Sequence, residues 1–100
     1  MAKYHFTRKA IEDLNGIWHY TANVWSEEQA DFYYNQIIHE CNNIIIAPER
    51  LSISYNEISD KLYGRRINKH IIFYRVMLNG DILIVRILHS KMDLKRRINE

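Results

Sequence analysis

One cysteine, one proline and three glycines are all that this 100-residue chain holds of the residues that staple, break or loosen a backbone. The lone Cys41 excludes an intramolecular disulfide and cannot build a cysteine-rich zinc site. So little Pro and Gly rules out a linker or a low-complexity segment, and the many Ile and Tyr residues argue against intrinsic disorder. No apolar run reaches membrane-spanning length, since stretches such as Ile82-Leu83-Ile84-Val85 end after a few residues. The start, Met1-Ala2-Lys3-Tyr4-His5, has neither the apolar stretch of a secretory signal nor the Arg/Ser bias of a transit peptide, so a cytoplasmic domain is expected. Gly16, Gly64 and Gly80 are isolated, which leaves no phosphate-cradling loop. His5, His19, His39, His70 and His89 include no i, i+4 pair that could hold a metal from one helix face. Neither a cofactor nor a metal is expected.

What is present is ordinary globular composition, 47% hydrophobic and 26% charged, enough for one domain over residues 1–100. The formal net charge of +2 conceals an asymmetry. Residues 1–50 carry four basic and seven acidic side chains, net −3, whereas residues 51–100 carry ten and five, net +5. Lys61, Arg65, Arg66, Lys69 and Arg75 follow one another with no acid between them. Such a half-chain suits an acidic partner, either nucleic acid or an acidic protein; a solvated strand face is the structural alternative.

Periodicity orders the elements. Tyr4 and Phe6 alternate with polar neighbours as in a short strand. Thr7 is placed to cap a helix whose apolar stripe is Ala10, Leu14, Ile17, Trp18 and Thr21. Ser26 followed by Glu27, Glu28 and Gln29 reads as the start of a second helix, striped by Ala30, Tyr33, Tyr34, Ile37, Ile38, Cys41, Ile44 and Ile45 until Pro48 stops it. Two striped helices so close in sequence form an antiparallel hairpin. Residues 47–60 are the least regular and read as a loop with a short turn. The period then changes: strands are expected over Leu62–Ile67, His70–Leu78 and Asp81–His89, with Asn79-Gly80 as a type I′ turn and the last strand interior because it is apolar on both faces. Asp93 caps a short basic helix, Leu94–Ile98. The expected architecture is α+β, in the order β-α-α-β-β-β: an N-terminal strand, a helical hairpin on one face, a three-stranded antiparallel meander and a basic C-terminal helix or tail.

Arg86 stands out, because a charge inside an apolar strand must reach a carboxylate, a carbonyl or solvent. Its structural reading is an internal ion pair. Its functional reading joins it with Arg65, Lys69, Arg75 and His89 as a basic patch on the open sheet face. There Arg75, Arg86 and His89 could stabilise a phosphate and move a proton, as metal-free ribonuclease chemistry requires. Cys41 lies in a core stripe and reads as buried. Trp18, Trp25, Phe32, Tyr33 and Tyr34 give the hairpin more aromatic area than a small core needs; core packing is one use for it and partner binding the other.

Several motifs carry a family resemblance: Thr7-x-x-Ala10-x-x-Asp13-Leu14-x-x-Ile17-Trp18-x-Tyr20, Trp25-x-x-x-Gln29-Ala30-x-x-Tyr33, Gly64-Arg65-Arg66, His70-Ile71-Ile72-Phe73-Tyr74-Arg75 and Arg86-Ile87-Leu88-His89-x-x-Met92-Asp93. From Tyr4 to Asp93 the chain resembles the ParE toxins of the RelE/ParE superfamily, type II toxin–antitoxin components also called plasmid stabilisation proteins. The resemblance implies the same β-α-α-β-β-β fold. It also implies a toxin held in a hetero-oligomer by a ParD-like antitoxin and acting on DNA gyrase by binding, without catalysis. An acidic antitoxin tail would then meet Trp18, Trp25, Tyr34, Arg65, Arg75 and Arg86, leaving His89, Met92, Asp93, Lys95, Arg96 and Arg97 for the target. The RelE branch instead cleaves messenger RNA on the ribosome, using an Arg and a Tyr near the C-terminus. Met92 and Ile98 stand at those positions here, and His70 at the matching place in the penultimate strand. Neither Met92 nor Ile98 donates a proton or clamps a phosphate, so direct action on nucleic acid ranks second. Many relatives place a Gly soon after the proline; this chain reads Pro48-Glu49-Arg50-Leu51, and the resemblance does not set the backbone of residues 48–60.

Overall fold

Each helix begins at a side chain able to take a first-turn amide. Thr7 Oγ1 accepts from the Ala10 amide at 3.1 Å and opens α1 (Arg8–Val24). Ser26 Oγ accepts from Gln29 at 3.0 Å and opens α2 (Glu27–Ile46), and Asp93 Oδ1 accepts from Arg96 at 3.2 Å and opens α3 (Leu94–Ile98). The strands are β1 (Tyr4–Phe6), β2 (Ser52–Ser54), β3 (Tyr63–Ile67), β4 (His70–Val76) and β5 (Ile82–His89). This computed structural model describes residues 2–100.

The sheet order is β1-β5-β4-β3-β2. Antiparallel pairing joins β2 to β3, β3 to β4 and β4 to β5, so the expected meander is present. By contrast β1 runs parallel to β5, with Tyr4, His5 and Phe6 opposite Ile82, Leu83 and Ile84, and the sheet as a whole is mixed. Alternation along β4 sorts two cores. Ile72 and Tyr74 face the helical hairpin and pack with Ala10, Leu14, Ile37, Cys41 and Ile44. Ile71 and Phe73 face the other way, packing with Leu62 and Leu88 under Tyr55, Ile58 and the α3 residues Leu94 and Ile98. That second face is therefore closed by α3 and the segment before β3, and the open face expected for a basic patch does not exist. Cys41 is fully buried, and burial, with a smaller contribution from Glu40, pushes its thiol up to about 12.

Two local details depart from expectation, and a third is a register shift that the sequence pattern does not show. Residues 47–60 hold β2, because a three-residue Ser-Ile-Ser strand has too few alternations to show in sequence and takes its order from β3. The β4–β5 turn has positive φ at Gly80 but not at Asn79, which excludes type I′. The Gly80 amide bonds the Met77 carbonyl and the Met77 amide bonds the Asp81 carbonyl, as in a three-residue loop closed by a left-handed glycine. Third, the β4–β5 register passes from Phe73↔Arg86 to Tyr74↔Ile84. The bulged residue Val85 brings Arg86 into line with Phe73 just beyond the end of β1.

Leu51, three residues after Pro48, adopts φ 58°. A left-handed backbone costs an L-residue about 1–2 kcal/mol, and Leu51 gains little packing in return, being 81% exposed. Leu51→Gly is expected to raise stability by about 1 kcal/mol once glycine's extra chain entropy is set against the relieved strain, measurable by urea unfolding.

Candidate functional site

Because β1 pairs with β5 only as far as Ile84, the edge of β5 beyond it has no strand beside it. Asp13, on α1, occupies that place. Its Oδ2 accepts from Arg86 Nε at 2.8 Å and from the Ile87 amide at 3.0 Å, and its Oδ1 accepts from Arg86 Nη2 at 2.9 Å. The remaining Arg86 nitrogen, Nη1, donates to the Arg97 carbonyl at 2.7 Å and to Glu100 at 3.3 Å, tying α3 to the same point. The Asp13 carboxylate is the main influence holding the Arg86 pKa above its ordinary value. Of the two readings of Arg86, the internal ion pair is the one realised.

Around this lock lies a groove of about 1200 Å³ between α1, the free end of β5 and the segment leading into α3. Its apolar lining includes Ile17, Tyr20, Val24, Trp25 and Met92, and its charged lining, besides the Asp13–Arg86 pair, is Glu12, Lys69, Lys91 and Arg97. Tyr20 and Trp25 are 60% and 76% exposed, far more than their role in folding requires. One end is closed by Tyr33, His70 and His89. The Tyr33 hydroxyl lies 2.8 Å from His70 Nδ1 and donates to the Ile67 carbonyl at 3.2 Å, so a His70 tautomer protonated at Nδ1 satisfies both groups. The His70 and His89 rings meet edge to face at 5.3 Å.

Burial first, and then the His89 ring, push His70 from 6.5 down to about 4. The unfolded chain therefore takes up a proton that the folded chain refuses as pH falls through this interval. Stability is fully retained above about 6.5 and declines between 6.5 and 4. His70→Gln is expected to flatten that decline, as read from urea midpoints across the same window.

The structure brings Trp25, Arg86, His89, Met92 and Arg97 into this one groove. Other sequence candidates lie elsewhere. Trp18 is half-buried between the helices, its Nε1 donating to Asp31 at 2.8 Å, and Tyr34 lies on α2 away from the groove. Arg65 is buried and donates to the carbonyls of Ala47 and Arg50, fastening β3 to the segment after α2. Arg75 holds Ser59 and the Asp60 carbonyl. Asp93 is the cap of α3, and Lys95 and Arg96 are exposed on that helix outside the groove. Arg75 and His89 line different cavities, with Arg86 between them. Gly16, Tyr20 and Val24 also line the groove, in an i, i+4, i+8 row on α1 beside the core stripe that is a signal readable in the sequence. Lys69 and Lys91 reach the groove through folding alone.

A helical hairpin laid on one face of a mixed sheet, in this element order, defines the fold class of the RelE/ParE toxins. A chain from the chromosomal ParDE toxin–antitoxin system of P. aeruginosa superposes with TM-score 0.77 at 19% identity, covering 91% of this chain and 97% of that one. One from the toxin–antitoxin complex RelBE2 of Mycobacterium tuberculosis gives 0.69 at 14% identity, covering 88% and 96%. Residues 4–94 match the family described as ParE toxin of type II toxin–antitoxin system, parDE, and the chain belongs to that family. It is 30% identical over 97 residues to Toxin ParE1 of Mycobacterium tuberculosis, covering 97% of this chain and 98% of that protein. Toxin ParE of Escherichia coli is also 30% identical, over 98 residues that cover 98% and 94%. No helix among the described residues is long and apolar enough to cross a membrane.

Proposed function

We propose that this ParE-family toxin acts in the cytoplasm by binding and inhibiting DNA gyrase, and that a ParD-like antitoxin neutralises it by occupying the α1–β5 groove. One observation carries the reading: Trp25, expected to meet the antitoxin, and His89, Met92 and Arg97, expected to meet the target, line a single groove. An occupant of that groove excludes any other by contact, with no conformational relay. Its chemistry suits an acidic amphipathic segment, whose apolar side chains would cover Tyr20, Val24 and Trp25 while its carboxylates approach Lys69, Lys91 and Arg97.

A supercoiling assay with purified gyrase tests both halves. Inhibition should rise with toxin and vanish when the antitoxin is added in equal amount; unchanged supercoiling at saturating toxin would remove the gyrase target. The ribonuclease alternative is weakened because Arg75 and Arg86 are engaged internally and Arg75 shares no cavity with His89. Discrete transcript cuts after induction, without a DNA-damage response, would restore it.

A further inference from the structure

The opposite border of the sheet, remote from the groove, is β2, and its outer edge is poorly guarded. From Leu51 to Asn56 the sequence Leu-Ser-Ile-Ser-Tyr-Asn contains no charge and no proline, the residues that usually deter a second strand. Leu51, just before that edge, and Ile53, on it, are 81% and 61% exposed. The backbone fixes which groups are free. The Tyr55 amide donates to the Leu62 carbonyl at 2.8 Å, so Tyr55 and Ile53 turn their amides and carbonyls toward β3, while Ser52 and Ser54 turn theirs outward.

We propose that two copies of this chain pair through β2, antiparallel, about a two-fold axis at Ile53. In that register Ser52 of each copy faces Ser54 of the other, and each such pair exchanges both of its backbone hydrogen bonds. The two Ile53 side chains meet as a non-hydrogen-bonded pair, the closer of the two kinds. The contact is self-complementary, as a two-fold interface must be. A neutral edge offers nothing to a charged peptide, whereas a rotated copy sets neutral residues against neutral residues and brings no like charges together between Leu51 and Asn56. A strand of three residues makes a small contact, so the dimer is weak and reversible.

Sedimentation equilibrium of the whole chain over a rising concentration series provides the test. The apparent mass should climb from 12.1 kDa toward twice that value. Ser54→Pro removes an outward donor and leaves the bonds to β3, and Ile53→Lys sets two ammonium groups face to face; both should stay at monomer mass while circular dichroism shows them folded. Ile46→Lys, exposed but off the strand, should still dimerise. Ile53→Cys should form a disulfide-linked dimer under mild oxidation, because the Cβ atoms of a non-hydrogen-bonded cross-strand pair lie about 4.5 Å apart, at the edge of the disulfide range. Cys41 is buried and does not compete. A Leu78→Cys control, on the exposed β4–β5 turn, should not cross-link comparably. A chain that stays monomeric to its solubility limit, with Ile53→Cys linking no faster than Leu78→Cys, overturns the proposal. So does a dimer that survives both Ser54→Pro and Ile53→Lys.

Discussion

Asp13→Ala is expected to lower stability by about 3–5 kcal/mol, a large share of the roughly 5–15 kcal/mol that holds a domain of this kind together. The carboxylate is the common acceptor for two Arg86 nitrogens and the Ile87 amide. Arg86 is only 8% exposed, so removing Asp13 leaves its Nε and Nη2 without acceptors, holding only the Nη1 bonds to Arg97 and Glu100, and frees a strand-edge amide as well. Thermal unfolding should register a fall of at least 10 °C, at about 4–8 °C per kcal/mol for a chain of this length. Pairing it with Arg86→Met separates the cost of an orphaned charge from the worth of the ion pair. The double variant should recover most of the loss, because it replaces the buried charge with apolar volume. Arg86→Lys on its own should also destabilise, since an ammonium cannot span both carboxylate oxygens while also holding the Arg97 carbonyl. If Asp13→Ala melts within 2–3 °C of the parent, roughly the effect of a surface substitution, the lock carries no weight in folding.

The same residues show what can be read from a sequence and what cannot. Thr7, Ser26 and Asp93 were legible as caps because capping depends on residues three positions apart, and the alternation in β4 was legible because its period is two. Arg86 was legible as an anomaly in an apolar strand, but its partner lies 73 residues earlier and no local pattern connects them. β2 escaped because its order is lent by β3, and the Asn-Gly turn misled because a glycine alone supplies the one left-handed position used there. For the groove, residue type pointed to aromatic and basic side chains as a class but not to which of them line it. Trp18 and Trp25 look alike in sequence, yet Trp18 bonds Asp31 between the helices and Trp25 stands free at the end of α1. Arg65 and Arg75 look like contact residues by charge alone, and folding turned both inward to hold carbonyls.

The second large effect is expected at Trp25, where folding and binding separate cleanly. At 76% exposure its indole contributes little to the core, so Trp25→Ala should leave the melting temperature within about 2 °C of the parent. Its place in the groove beside Val24 and Gln29 gives it the features of an interface anchor: a large, rigid, apolar side chain covered only when a partner arrives. Truncating such an anchor costs at least about 2 kcal/mol, so antitoxin affinity measured by calorimetry should weaken roughly 30-fold or more. Tyr20→Ala, five residues before it and lining the same groove, should act in the same direction, and the two losses should not be additive if one apolar segment covers both. Shared use of the groove adds a sharper requirement. On the proposed shared groove, the variant that binds antitoxin weakly should also need more protein to inhibit supercoiling, because either partner seated there would cover the same indole. A Trp25→Ala toxin that escapes its antitoxin yet inhibits gyrase at the parent's concentration would place the two partners on different surfaces, and neutralisation would then require a conformational change instead of direct occlusion.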